Sequence, residues 1–308
     1  LPSDLCGTLA NPSSSGSRYI LTITDDFSRF SWIFFLKKKS ETILKFRHFK
    51  SMVELQMPFK IKALRSDRGG EYIAKYFSQF CEDFGIIRQF TQVYTPHQNG
   101  VAERKNRSLL EKARSMAFES NVPTHLWTEA VATANYLINR TSTRANQGDT
   151  PYERLTGLKP SISHLRIFGC RSFVFDTSPH RKKWSPKALD CIFVGYDHES
   201  KGFRNYHKQS RKIIVSKDVT FDESCYPLGV APEISSASHH SDDWQLLLNT
   251  ATSPSYESPP SAFSSLTPAS HNELPSLGVS SPLTASSTPQ SPSRCTTPPA
   301  VMPSASPV

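Results

Sequence analysis

Two apolar runs, RYILTIT (18–24) and FSWIFFL (30–36), flank the polar stretch DDFSR. Runs of that length around turn-forming residues predict a β-hairpin. After Ser40 the period lengthens. Ile43, Phe46, Phe49, Val53 and Met57 recur at steps of three and four, predicting a helix over 40–57 with one buried stripe, stopped by Pro58. FKIKALRS (59–66) alternates and predicts a strand, with a turn at Gly69 and Gly70. In EYIAKYFSQFCEDFG the residues Ile73, Phe77, Phe80, Cys81 and Phe84 share one helical face, and Gly85 is placed to end that helix. A further strand is predicted over 86–94 and a loop over 95–100. Two helices follow, one in VAERKNRSLLEKARSM and one running from Pro123 through Trp127, Val131, Ala134 and Ile138.

Hairpin, helix, strand, helix, strand and two helices make a mixed α/β sheet with helices on its faces. From Ile167 the texture changes to short runs, RIFGCRSFVF, ALDCIFVGYD and KIIVSKDVTF, separated by turn residues. These predict a small antiparallel barrel or sandwich. From about Pro227 the chain is rich in Ser, Pro and Thr and loses periodicity, so a disordered tail is expected. Its apolar cluster, Trp244 with Leu246, Leu247 and Leu248, reads as a stray cluster. The expected division is a core over 1–145, the β-rich part with its connecting segment over 146–225, and the tail over 226–308.

Charge sharpens this division. The 308 residues hold 36 Lys and Arg against 27 Asp and Glu, but residues 1–226 alone carry 35 against 22, or +13. Such a field favours a polyanion, of which nucleic acid is the commonest. Cys6, Cys81, Cys170, Cys191, Cys225 and Cys295 are scattered without a CxxC pair or a His/Cys cluster at metal-ligand spacing, so reduced thiols in an intracellular protein are expected. No apolar run reaches the roughly 18 residues of a membrane span, and no membrane partner is expected. A chain beginning at Leu1 reads as a piece of a longer translation product.

Two acids stand out. Asp67 leaves a predicted strand in RSDRGGEY, and Glu103 opens a basic helix behind an HQNG turn, with 35 residues between them. Each alone has an ordinary structural reading: Asp67 as a cap before a glycine turn, Glu103 as a helix pair with Arg107 worth roughly 0.3 kcal/mol. Together at a sheet edge, they are the hard oxygen donors that Mg²⁺ or Mn²⁺ takes.

LRSDRGGEY with YTPHQNGVAERKNRSLLEKARSM resembles the integrase core of copia-type retrotransposon polyproteins, which has an RNase H-like fold. SRYILTITDDFSRFSWIFFLKKK resembles that core's second and third strands. TPYERLTGLKPSISHLRIFGCRSFVF and CIFVGYDHESKGFRNY with VSKDVTFDE resemble the SH3-like domain that follows it. The resemblance spans about residues 3–223. It implies an Asp, Asp-35-Glu site in which Asp67 and Glu103 are joined by Asp4, from the SDLCG segment. Asp25 and Asp26, the rival acids, match a strand-to-turn segment. Asp4, Asp67 and Glu103 would then bind two Mg²⁺ (or Mn²⁺) ions for trimming and strand transfer of element DNA ends into target DNA. DNA contacts are expected from Gln98, Asn99, Arg104, Lys105 and Arg107, with Lys112 and Arg114 further along, although helix faces this basic are often merely solvated. His97 is assigned no role. The cluster HRKKW (180–184) reads as a solvated loop.

Two alternatives stand beside this reading. A short first strand, with only Leu1, Pro2 and Ser3 before Asp4, and Thr8 where the family usually has proline, favour a remnant that binds nucleic acid without catalysis. An RNase H-type nuclease is the other, since the fold supports both chemistries. The family resemblance further implies multimers, a cytoplasmic particle and then the nucleus, and no zinc is expected in these residues, which lack the His/Cys segment that usually precedes this core in the family.

Overall fold

The computed structural model describes residues 1–91, 99–177, 183–184 and 186–228. The Ser/Pro/Thr-rich segment beyond 228, with its Trp244 cluster, lies outside the described residues. So do His97, Gln98 and the His180, Arg181 and Lys182 of the basic cluster.

Strand β1 (Ser3–Cys6) pairs antiparallel with β2 (Tyr19–Thr24), which pairs antiparallel with β3 (Ser31–Leu36). β4 (Ala63–Ser66) and β5 (Ile87–Phe90) form a parallel pair. A parallel bridge between Pro2 and Arg65, with Arg65 N–H donating to the Leu1 carbonyl at 2.9 Å, sets β4 beside β1. Read across that bridge, the order is β3-β2-β1-β4-β5. The outcome is the RNase H-like mixed sheet, and in it Asp4 and Asp67 come to neighbouring strands.

Helices cover both faces. On one lie α1 (Thr42–Gln56), α2 (Gly70–Ile73) and α3 (Lys75–Asp83), around a core of Phe46, Phe49, Phe77 and Tyr72. On the other lie α4 (Gly100–Ser120) and α5 (Trp127–Arg140), whose Leu109, Ala113, Trp127, Val131 and Ala134 bury against β1 and β2.

Three local expectations change. The strand predicted over 59–66 narrows to four residues, because Ile61 N–H is taken by the Glu54 carboxylate at 3.0 Å and Phe59 is solvent-exposed. The helix predicted over 71–85 breaks at Ala74, whose extended ψ of 136° divides α2 from α3. The break rotates Tyr72 into the core and leaves Ile73 and Phe84 exposed, contrary to the single-face reading. Finally, a short helix, α6 (Pro151–Thr156), was not expected, though its signals are plain. Thr150 Oγ1 accepts from Glu153 N–H at 3.0 Å, Pro151 opens the first turn, and Gly157 closes it at φ +73°.

Downstream, β6 (Arg171–Phe175), β7 (Ala188–Tyr196), β8 (Phe203–His207), β9 (Lys212–Ser216) and β10 (Val219–Asp222) form an antiparallel sheet in the order β10-β6-β7-β8-β9. It sits directly on α5. Ile192, Val194 and Tyr206 join the same core as Trp127 and Val131. Arg204 reaches Glu129 by two hydrogen bonds of 2.7 and 2.9 Å, Thr133 Oγ1 donates to the Val194 carbonyl, and Tyr136 stacks on Tyr196 with centroids 4.3 Å apart. Cys81, Cys170, Cys191 and Cys225 are free thiols, and Cys6, Cys81, Cys170 and Cys191 are buried. No helix among the described residues is long and apolar enough to cross a membrane.

Candidate active site

β1 runs through the centre of the sheet, so a side chain pointing from it toward α4 is enclosed on several sides. Asp4 is that side chain. It is half-buried, and it stands opposite Thr22 of β2 in the antiparallel register. Asn106 Nδ2 donates to its Oδ2 at 2.7 Å. Burial pushes the Asp4 carboxyl up to about 6, and the negative charge of Asp67 and then of Glu103 adds to that rise while the Asn106 bond opposes it. The other two predicted carboxylates therefore both act on Asp4.

Asp67 follows β4 directly and is exposed. Its Oδ1 accepts the Gly69 N–H at 3.1 Å, so the capping role and a chemical role share one side chain. Glu71 lies close by. A Cβ on Gly69 would meet both Glu71 Oε1 at 2.7 Å and Asp67 Oδ1 at 3.1 Å, and the Glu71 carboxyl is raised by burial and by Asp67. Glu103 sits exposed in the first turn of α4. It is not among the described ion pairs, so the simple helix pair with Arg107 is not formed. Asp25 is occupied elsewhere. It caps its own turn by accepting from Ser28 N–H and Oγ, and Asp26 binds Arg29 at 2.6 Å.

The basic residues divide by orientation. Arg104 and Arg107 are exposed on α4. Lys105 turns inward, donating to the Arg29 carbonyl at 3.3 Å, and burial pushes its amine down to about 8. Asn99 is buried, makes no capping bond to α4, and its Oδ1 lacks a hydrogen-bond partner, as do Asn106 Oδ1, Thr22 Oγ1 and Thr24 Oγ1. Buried polar atoms without partners are uncommon, and two of these, on Thr22 opposite Asp4 and on Asn106 bonded to it, border the carboxylate itself.

The donor chemistry at this edge, hard carboxylates of which Asp4 is raised by burial and by the neighbouring charges, fits a divalent cation that would offset that charge. The arrangement is open, however: among the described residues no three His, Cys, Asp or Glu side chains are close enough to hold a metal ion together. Asn106 and Glu71 were missed in sequence. Asn106 was findable, since it falls in phase with Ala102, Leu109 and Ala113 on the buried stripe of α4, where an apolar residue is expected.

Residues 3–96 match the integrase core domain family and residues 170–233 the retroviral polymerase SH3-like domain family. The class is thus an integrase core followed by an SH3-like domain. Among similar proteins, the retrovirus-related Pol polyprotein from transposon TNT 1-94 of Nicotiana tabacum is 41% identical over 222 residues, 72% of this chain and 17% of that polyprotein. The Pol polyprotein from transposon RE1 of Arabidopsis thaliana is 34% identical over 70% of this chain and 14% of its own length. A Transposon Ty1-LR3 Gag-Pol polyprotein of Saccharomyces cerevisiae is 30% identical over 70% of this chain and 12% of its own length. A solved simian T-cell lymphotropic virus intasome bound to PP2A regulatory subunit B56 gamma aligns over 71% of this chain and 77% of that chain, at 15% identity and a TM-score of 0.40, a weak likeness. The chain belongs to the integrase region of copia-type retrotransposon Pol polyproteins, and it spans less than a fifth of the curated relatives it matches.

Proposed function

We propose that the chain carries out metal-dependent joining of element DNA 3′ ends to target DNA, with Asp4, Asp67 and Glu103 as the reactive edge. The observation that carries this is the Asp4 carboxyl, raised first by burial and further by the charge of Asp67 and then of Glu103, and directly held by Asn106. Bound divalent ions, two Mg²⁺ or Mn²⁺ as in-line phosphoryl displacement requires, would supply charge neutralisation for the attacking and leaving oxygens. The residues of the chain do the rest. Asp4, Asp67 and Glu103 would hold the ions. Asn106 keeps one Asp4 oxygen fixed and favours its ionised form, while Arg104 and Arg107 face the solvent where DNA phosphates would lie. Homo-multimers acting in the nucleus belong to the same proposal.

The test is strand transfer with oligonucleotides bearing the element's ends, in Mg²⁺ and in Mn²⁺, comparing the chain with Glu103→Gln and Asp67→Asn. A loss of about 100-fold or more in both variants is expected from removing a ligand of charge-stabilising ions. Equal activity in all three proteins would refute the assignment. One observation favours the second reading, a DNA-binding remnant without catalysis: the carboxylates do not form a closed metal cage. DNA binding by the unaltered chain with no joining in either metal would establish that reading instead.

A further inference from the structure

Phe27 is 71% exposed at the tip of the β2–β3 turn. An isolated apolar side chain on a surface ordinarily needs no explanation. What sets this one apart is the backbone beneath it. Asp25 closes the turn through Ser28 N–H and Oγ at 2.8 and 2.7 Å, and Arg29 is held at φ +61°. Asn146 Nδ2 then donates to the Ser28 carbonyl at 2.7 Å and Lys105 Nζ to the Arg29 carbonyl. Asn135 and Asn139 of α5 both donate to the Ser31 carbonyl, at 2.9 and 2.8 Å, and accept from its hydroxyl or N–H. Asp25, the inward Lys105 and the buried Asn135, Asn139 and Asn146 thus fasten a turn whose tip touches little. A phenylalanine carried this way presents its ring in one place at a small entropy cost on binding.

Its surroundings indicate the partner. The Arg154 guanidinium lies 5.2 Å from the ring centroid, and Arg29 and Arg65 gather at neighbouring Asp26. Asp25, Asp26 and Asp149 balance these three arginines, so the pull on a polyanion comes from the wider field of residues 1–226, which carry +13, and from the exposed Arg104 and Arg107 of α4. Thr24 N–H bonds the Pro2 carbonyl, two residues before Asp4, and Lys105, two residues after Glu103, holds the Arg29 carbonyl, so the turn leaves β2 beside the start of β1 and packs against the first turns of α4.

We infer that Phe27 is a wedge for duplex DNA, inserting between base pairs of the target and opening a step next to the joining edge. Apolar side chains that unstack a step kink the duplex, and flexible pyrimidine–purine steps yield most readily, which would make Phe27 a determinant of where joining occurs. The inference rests on the DNA-joining reading.

The experiment uses the full chain in EDTA with duplexes carrying 2-aminopurine at a TA step, so that chemistry plays no part. Binding is followed by anisotropy and unstacking by 2-aminopurine fluorescence, for the unaltered chain, Phe27→Ala and Phe27→Leu. The expected result is a rise of several-fold in fluorescence with the unaltered chain, much of it kept by Phe27→Leu and lost in Phe27→Ala, with affinity changing less than about threefold. Bound DNA that stays stacked, or equal unstacking in Phe27→Ala, overturns the wedge and leaves the joining reading standing. No binding at all overturns both, and unstacking without strand transfer in metal overturns only the joining reading. Loss of self-association in Phe27→Ala, with unstacking unchanged, would assign the turn to a second copy of the chain and overturn the wedge.

Discussion

The carboxylate edge and the seam between α5 and the SH3-like sheet both gather charged groups around a partly enclosed centre, yet they solve opposite problems. At the seam each charge meets its opposite: Arg204 takes Glu129 through two hydrogen bonds and Asp197 at 3.5 Å. At the edge, by contrast, the charges of Asp67 and Glu103 both press on Asp4 with the same sign. The seam is built for stability, and the edge holds interactions in reserve for something that binds. Strain concentrated at one site and compensated at another is the usual distribution in a functional fold.

Three substitutions press on that contrast. The largest effect is expected at Gly169, where the backbone has φ +83° and an added Cβ would lie 2.0 Å from Ser120 Cβ of α4. Gly169→Ala combines overpacking with a disfavoured backbone and should destabilise by about 3–4 kcal/mol in urea unfolding. A change under about 1 kcal/mol would mean the junction is loose. Next, Asp4→Asn should stabilise the protein. The folded-state pKa of Asp4, about 6, lies above the ordinary value of 3.8, so the stability its proton contributes is full below pH 3.8 and lost as pH rises through 6. At pH 7 the neutral amide should recover up to about 3 kcal/mol, and the slope of stability against pH between 4 and 6 should flatten. Destabilisation by Asp4→Asn would show that the edge is not strained. The smallest effect belongs to Glu129→Ala, which leaves Arg204 with Asp197 alone and should cost about 2 kcal/mol. Pairing it with Arg204→Met should restore most of that loss in thermal unfolding, since the uncompensated charge is then gone.

How far the sequence disclosed this molecule depended on whether the deciding force was local. The hairpin, α1, α4 and α5 follow from spacing, because Trp127, Val131, Ala134 and Ile138 bury wherever that helix docks. Ala74 shows the limit. Nothing local requires a break there, and the demand comes from tertiary packing that draws Tyr72 inward, where its hydroxyl meets Ser3 at 2.8 Å. The site divides similarly. Asp67 and Glu103 are legible as an interval between two acids, and Asp4 only through family resemblance. Asn106 and the inward Lys105 depend on contacts with residues 102 and 76 positions away, which no window along the chain can see.

The seam also limits how such a chain can be reassorted. Glu129 and Thr133 lie on α5, whereas Arg204 and Val194 lie beyond residue 190. A crossover between those points, joining one element's core to another's sheet, would leave a guanidinium facing the wrong wall and Gly195 without the gap it fills beside Thr133. Copia-type elements that exchange segments would therefore be expected to inherit α5 and the sheet as a single block.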